Sequence, residues 1–114
     1  MTNFQNKFDK AVWEIVSSIS SGRVMSYGEV ARAAGRPRYA GMVSKAMSRS
    51  VEQLPWYRVV RSNRTLAFEV GSEPYKKQQG LLEKEGVRFV SGKVIPLDSD
   101  KAKDLDELLW GPPD

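Results

Sequence analysis

The strongest constraint on the fold lies in the first fifty residues, where apolar side chains recur at helical spacing in three short blocks. Phe4, Phe8, Ala11, Val12, Ile15, Val16 and Ile19 form one stripe, the signature of an amphipathic helix, and Gly22 is placed to end it. Ser26 and Glu29 have the spacing of a capping box, which predicts a helix starting at Tyr27. That helix carries Val30, Ala31 and Ala34 and stops near Gly35, ahead of Pro37. A third helix is expected over 39–49, with Tyr39, Met42, Val43, Ala46 and Met47 as its apolar stripe. Its other face reads Gly41, Ser44, Lys45, Ser48, all small except the lysine. Such a stripe lets a helix axis come close to another surface, or it is an ordinary solvated face on which Gly41 costs about 1 kcal/mol of helix propensity relative to Ala. Two short helices followed by a third with a close-approach face is a helix-turn-helix pattern.

The second half reads as shorter elements. Trp56-Tyr-Arg-Val-Val is aromatic and β-branched, hence strand-like. Arg61-Ser-Asn-Arg reads as a turn with Asn63 tolerant of positive φ, and 65–68 as the return strand. The resulting hairpin would be a wing carrying Arg58, Arg61 and Arg64. A helix is expected over 74–85, with Tyr75, Leu81 and Leu82 apolar and Gly86 as its stop. A hairpin of 87–90 with 93–97 should turn at Ser91-Gly92. The acidic tail, 98–114, holds Leu105, Leu108, Leu109 and Trp110, which suit one or two helical turns docked on the core. The fold class is therefore α+β: one winged helix-turn-helix-like domain over 1–114, mainly helical with short β-hairpins.

The 114 residues include no cysteine and no histidine. This excludes disulfides, a thiolate nucleophile, an imidazole base and Cys- or His-ligated metals. No metal site, cofactor or catalytic residue is expected, and function by binding is. The net charge of +4 is unevenly distributed. Residues 1–64 hold 11 Lys and Arg against 4 Asp and Glu, whereas 65–114 hold 7 against 10. Nine of the 11 cations fall between Arg23 and Arg64, and eight of those nine are Arg, the side chain suited to bidentate phosphate contacts. A one-sided basic patch suits a polyanion, nucleic acid above all, although a merely solvated basic face has the same composition.

Four segments together resemble the DNA-binding domain of the O6-alkylguanine-DNA alkyltransferases, specifically the alkyltransferase-like branch. They are Gly22-Arg-Val-Met-Ser-Tyr-Gly-Glu-Val-Ala, residues 40–47, Pro55-Trp-Tyr-Arg-Val-Val, and Leu81-Leu-Glu-Lys-Glu-Gly-Val. The third is the most specific: Trp56 stands where the transferases have the alkyl-accepting Cys, and Tyr57 where they have His. The resemblance implies minor-groove docking on double-stranded DNA and rotation of a damaged guanine into a pocket, without alkyl transfer. It implies a pocket of Tyr27, Met47, Trp56, Tyr57 and Val59. Tyr27 would assist extrusion and bond the flipped base, Met47 would form a wall, Trp56 the floor, and Val59 would offer a backbone carbonyl. Tyr27, Met47 and Trp56 can each also be read as core side chains. DNA contacts would come from Arg38, Tyr39, Ala40, Gly41, Ser44, Lys45, Ser48, Arg58, Arg61 and Arg64, with Arg58 alternatively bracing the loop. Glu85 would be a structural acceptor for the Tyr57 hydroxyl.

In two respects the sequence departs from the family pattern. Gly41 occupies the place of an arginine that fills the hole left by the flipped base; Arg38 or Tyr39 would have to substitute. Ser44 and Lys45 stand where small residues, often glycine, are usual, so Lys45 either adds a phosphate contact or blocks the closest approach. The 65–71 loop should close over the pocket, with Phe68 as a lid or a core residue. Nucleotide excision repair proteins are implied partners. A monomer in the cytoplasm (on the nucleoid, if bacterial) is expected, because the N-terminus does not read as a signal peptide and no apolar run spans a bilayer. A winged-helix DNA-binding module without lesion recognition, and a protein–protein adaptor using the acidic tail, are the competing readings.

Overall fold

The computed structural model describes residues 3–95, with side chains from Gln5 onward. The side chain of Phe4, the end of the second hairpin beyond Ile95 and the acidic tail lie outside the described residues.

Helix α1, Asn3–Ser17, buries Phe8, Val12 and Val16 along its inner stripe. It ends before Gly22, where Ser18 donates its hydroxyl to the Ile15 carbonyl at 2.6 Å. Gly22 instead takes φ +84 in the turn that follows. Strand β1, Met25–Ser26, leads directly into α2, Tyr27–Ala33. The capping box forms as the spacing predicts. The Ser26 hydroxyl accepts from the Glu29 N–H at 3.0 Å, and Glu29 Oε1 accepts from the Ser26 N–H at 2.8 Å. Gly35 ends α2 with φ +83, the left-handed geometry that glycine adopts without a Cβ penalty.

The expected third helix divides in two. Pro37–Met42 is a 3-10 helix, and only Val43–Ser48 is α-helical, as α3. Tyr39 has φ −105 and ψ 25, outside the helical region. Pro37 supplies no N–H, and Gly41 is a weak helix former, so nothing local favours α over 3-10 geometry here.

The wing hairpin is also corrected. Trp56–Arg58 is a 3-10 turn, and β2, Val59–Val60, pairs in parallel with β1: Met25 with Val59 and Ser26 with Val60. Residues 65–68 form no strand. The 61–65 turn is closed by the Arg61 N–H on the Thr65 carbonyl at 2.9 Å. Its positive-φ residue is Arg64, at +70, rather than Asn63. Asn63 holds the turn with its side chain, Oδ1 accepting from the Thr65 N–H and hydroxyl at 3.1 and 2.6 Å. Helix α4, Glu73–Lys84, starts at the Ser72 cap, and β3, Arg88–Val90, and β4, Lys93–Ile95, form the antiparallel hairpin with Ser91 and Gly92 at its turn.

Adjacent residues of an extended strand point to opposite faces, and β2 uses this to join two cores. Val59 enters the cluster of Phe8, Val12, Val16, Val30, Ala31, Val43, Ala46 and Leu54. Val60 enters the cluster of Leu66, Tyr75, Leu82, Val87 and Val94. Trp13 fastens α1 to α3 by donating its indole N–H to the Ala46 carbonyl at 2.7 Å.

Candidate nucleic-acid interface

The parallel pairing of β1 with β2 assembles the site. Because Ser26 faces Val60, the next residues, Tyr27 and Arg61, are brought together across the ladder. With Gly28, Ala40, Gly41, Ser62 and Asn63 they line a cleft of about 410 Å³. Gly28, Ser62 and Asn63 are not among the site residues expected from the sequence, because their place here depends on this non-local pairing. Burial pushes the Tyr27 hydroxyl above its ordinary pKa, while the Arg61 charge pulls it back less strongly. Tyr27 therefore keeps its proton at neutral pH and is a hydrogen-bond donor at the edge of the cleft. A Cβ built on Gly41 meets no atom within 4 Å, so the cleft is open at that wall.

Trp56 sits outside this lining, half-buried between two other aromatic rings. Tyr57 lies edge-on at 5.8 Å and Phe68, from the 65–71 loop, edge-on at 6.3 Å, within the range of attractive aromatic pairs. Met47 is half-buried against the first core, as is Tyr27. Of the expected pocket residues, Tyr27 opens onto the described cleft, Met47 packs on the helical core, and Trp56 and Tyr57 belong to the aromatic group. Val59 is fully buried and its carbonyl accepts from Gln78 Nε2 at 3.2 Å.

The expected DNA-facing residues separate in the same way. Gly41, Ser44, Lys45 and Ser48 are exposed, as are Arg38 and Arg61, with Ala40 half-buried beside them. Arg61 Nη2 reaches the Ala67 carbonyl at 3.3 Å and so contacts the 65–71 loop. Tyr39 turns inward, its ring 5.8 Å from Phe8. Arg58 is half-buried: Nε donates to Glu85 Oε1 at 3.0 Å, Nη2 to Oε2, and Nη1 to the Ile19 carbonyl at 2.7 Å. Of its two readings, bracing is the one the geometry supplies. Arg64 is mostly buried too, with Nη1 3.5 Å from Glu29 Oε1. The sequence pattern puts both on an exposed wing, and each instead meets a carboxylate distant in sequence.

Glu85 is the centre of a network. It accepts from the Tyr57 hydroxyl at 3.1 Å, from Arg58, and from the Gly22 N–H at 2.9 Å. Burial pushes the Glu85 carboxyl up, but the bonds from Arg58 and Gly22, the Arg58 charge and the Tyr57 hydroxyl together hold it below the ordinary range. Two further side chains went unnoticed in the sequence. Asp9 is buried and takes a bidentate contact from Arg49 at 2.7 and 2.9 Å. Gln78 is buried in α4 at a position the apolar stripe of Tyr75 and Leu82 marks as inward-facing, which is the signal that could have found it.

With this geometry in view, the family model for the DNA-binding domain of 6-O-methylguanine DNA methyltransferase matches residues 7–87. The alkyltransferase-like protein 1 of Schizosaccharomyces pombe is 32 % identical over 109 residues, covering 94 % of this chain and 97 % of that protein. The chain belongs to the alkyltransferase-like family. A DNA base-flipping protein of Escherichia coli is 41 % identical over 90 residues, covering 77 % of this chain and 67 % of that protein. Among solved structures, the S. pombe family member in complex with damaged DNA containing O6-carboxymethylguanine superposes with a TM-score of 0.66 at 32 % identity, covering 84 % of this chain and 93 % of that one. The α+β, helix-turn-helix-like architecture of the family is thereby shared by this chain.

Proposed function

We propose that this protein binds double-stranded DNA through the exposed face of Gly41, Ser44, Lys45 and Ser48 with Arg38 and Arg61, and receives an O6-alkylated guanine, rotated out of the duplex, beside Trp56, without transferring the alkyl group. The observation that carries this reading is Trp56 itself. A half-exposed indole framed by the edges of Tyr57 and Phe68 offers stacking and dispersion to a base, in a chain with no cysteine to accept an alkyl group. Extrusion of a base costs a few kcal/mol and costs least where pairing is already poor, as for an O6-alkylguanine. Tyr27, as a neutral donor, suits a base edge leaving the stack. The names and DNA complexes of the relatives support the same conclusion. Under it the chain acts as one domain and as a cytoplasmic monomer, and passes the bound lesion to nucleotide excision repair proteins.

Titration of matched duplexes carrying guanine or O6-methylguanine tests this. Tighter binding of the modified duplex is expected, with the difference lost in Trp56→Ala while binding to undamaged DNA persists. Equal affinity for the two duplexes would sink the lesion assignment. One observation favours a second reading. The cleft is open at Gly41, so this chain lacks a side chain there to fill the vacated stack. A DNA-binding module that does not flip bases would show that same equality, with a steep salt dependence.

A further inference from the structure

We infer that Gln78 is the positioning residue of the Trp56 site, holding its turn from the side opposite the exposed rings; the inference rests on the proposed lesion reading. Gln78 is 1 % exposed, a rare state for a glutamine. Its Nε2 donates to the Tyr57 carbonyl at 3.0 Å and to the Val59 carbonyl at 3.2 Å. An amide nitrogen carries two hydrogens, so both are used, one on each carbonyl. Two carbonyl acceptors also fix which end of the amide faces the turn, since its oxygen there would be repelled.

Those two carbonyls bracket Arg58 and lie at the junction where the Trp56–Arg58 3-10 turn becomes β2. The turn has no side-chain cap of its own. Three residues in 3-10 geometry are weakly held by their internal bonds, so its shape is set from outside. Gln78 lies within α4 and Glu85 caps its C-terminus seven residues, or two helical turns, later, so both are presented from one side of the helix. Glu85 grips the side chains of Tyr57 and Arg58, while Gln78 grips the backbone on either side of Arg58. Together they make α4 a two-point clamp on the segment that presents Trp56. Among the described residues the Gln78 oxygen meets no donor. A leucine would fill this place without burying an unpaired acceptor, so packing alone does not account for the amide.

The test compares Gln78→Leu and Gln78→Glu with the unsubstituted protein. The readouts are the affinity ratio between O6-methylguanine and guanine duplexes, affinity for the undamaged duplex, and amide hydrogen exchange over 54–60. Gln78→Leu should lower the ratio about tenfold, the scale of one or two net hydrogen bonds lost, with undamaged binding retained and exchange over 54–60 accelerated. Gln78→Glu should lose the ratio at neutral pH and regain part of it on acidification, when a protonated carboxyl can donate to one carbonyl. Leu82→Ala, a core truncation in the same helix, should lower stability without moving the ratio. A ratio unchanged in folded Gln78→Leu would overturn the inference while leaving the lesion reading intact. An unsubstituted protein with no preference would overturn both.

Discussion

Arg58 shows how much one side chain's environment decides about its role. Its side chain is 15 % exposed and that of the facing Glu85 13 %, so the two charges are largely shielded from water and each depends on the other. Removing one partner from such a pair costs about 3 kcal/mol or more, because the survivor is left buried and uncompensated. Glu85→Gln should destabilise the protein by about that much at pH 7, read as a fall in denaturant midpoint. The sign with pH follows from the Glu85 carboxyl lying below its ordinary range. Its stabilising contribution is fully present above the ordinary carboxylate pKa of about 4.3 and is lost as pH falls through the lower folded value. The gap between Glu85→Gln and the unsubstituted protein should therefore narrow below pH of about 4; a constant gap down to pH of about 3 would refute this assignment of the charge.

At the scale of elements, the short helices carrying the interface are held by their ends. Helix α2 has only seven residues, too few to be stable without caps and packing. Ser26→Ala should cost about 1 kcal/mol and speed amide exchange in the first turn of α2, where Tyr27 sits; unchanged exchange there would show the cap to be dispensable. Gly41 makes the opposite case. Its φ is not positive and a Cβ there meets nothing within 4 Å, so Gly41→Ala should raise stability by about 0.4–1 kcal/mol through loss of unfolded-state freedom, measured by thermal unfolding. The capping box was legible in the sequence because donor and acceptor lie three residues apart. So were the left-handed stops at Gly35 and Gly86, and the Ser91-Gly92 hairpin turn. The two-residue parallel ladder of β1 and β2 was not, since its partners are 34 residues apart and too short to show a period. The inward turn of Arg58 and Arg64 was hidden for the same reason: their carboxylates, Glu85 and Glu29, lie 27 and 35 positions away. Gln78 was missed differently, as a polar residue on a buried stripe whose carbonyl partners no local pattern announces.

Across the whole molecule, these pairings change what the basic half can do. Among the described residues, carboxylates hold Arg49 (by Asp9), Arg58 (by Glu85) and Arg64 (by Glu29). Arg23, Arg32, Arg38, Lys45 and Arg61 lie exposed. Cations neutralised within the protein release no counterions from DNA, so the salt dependence of binding should report the second group and not the first. Each phosphate neutralised contributes about −0.9 to the slope of log K against log salt. Arg38→Ala and Lys45→Ala should each flatten that slope by up to about one unit, equally for guanine and O6-methylguanine duplexes, because phosphate contacts carry no base information. Arg64→Met should leave the slope unchanged and lower stability instead. A slope that flattens in Arg64→Met but not in Arg38→Ala or Lys45→Ala would place the DNA on another face. A change confined to the modified duplex would mean that these cations contact the lesion rather than the backbone.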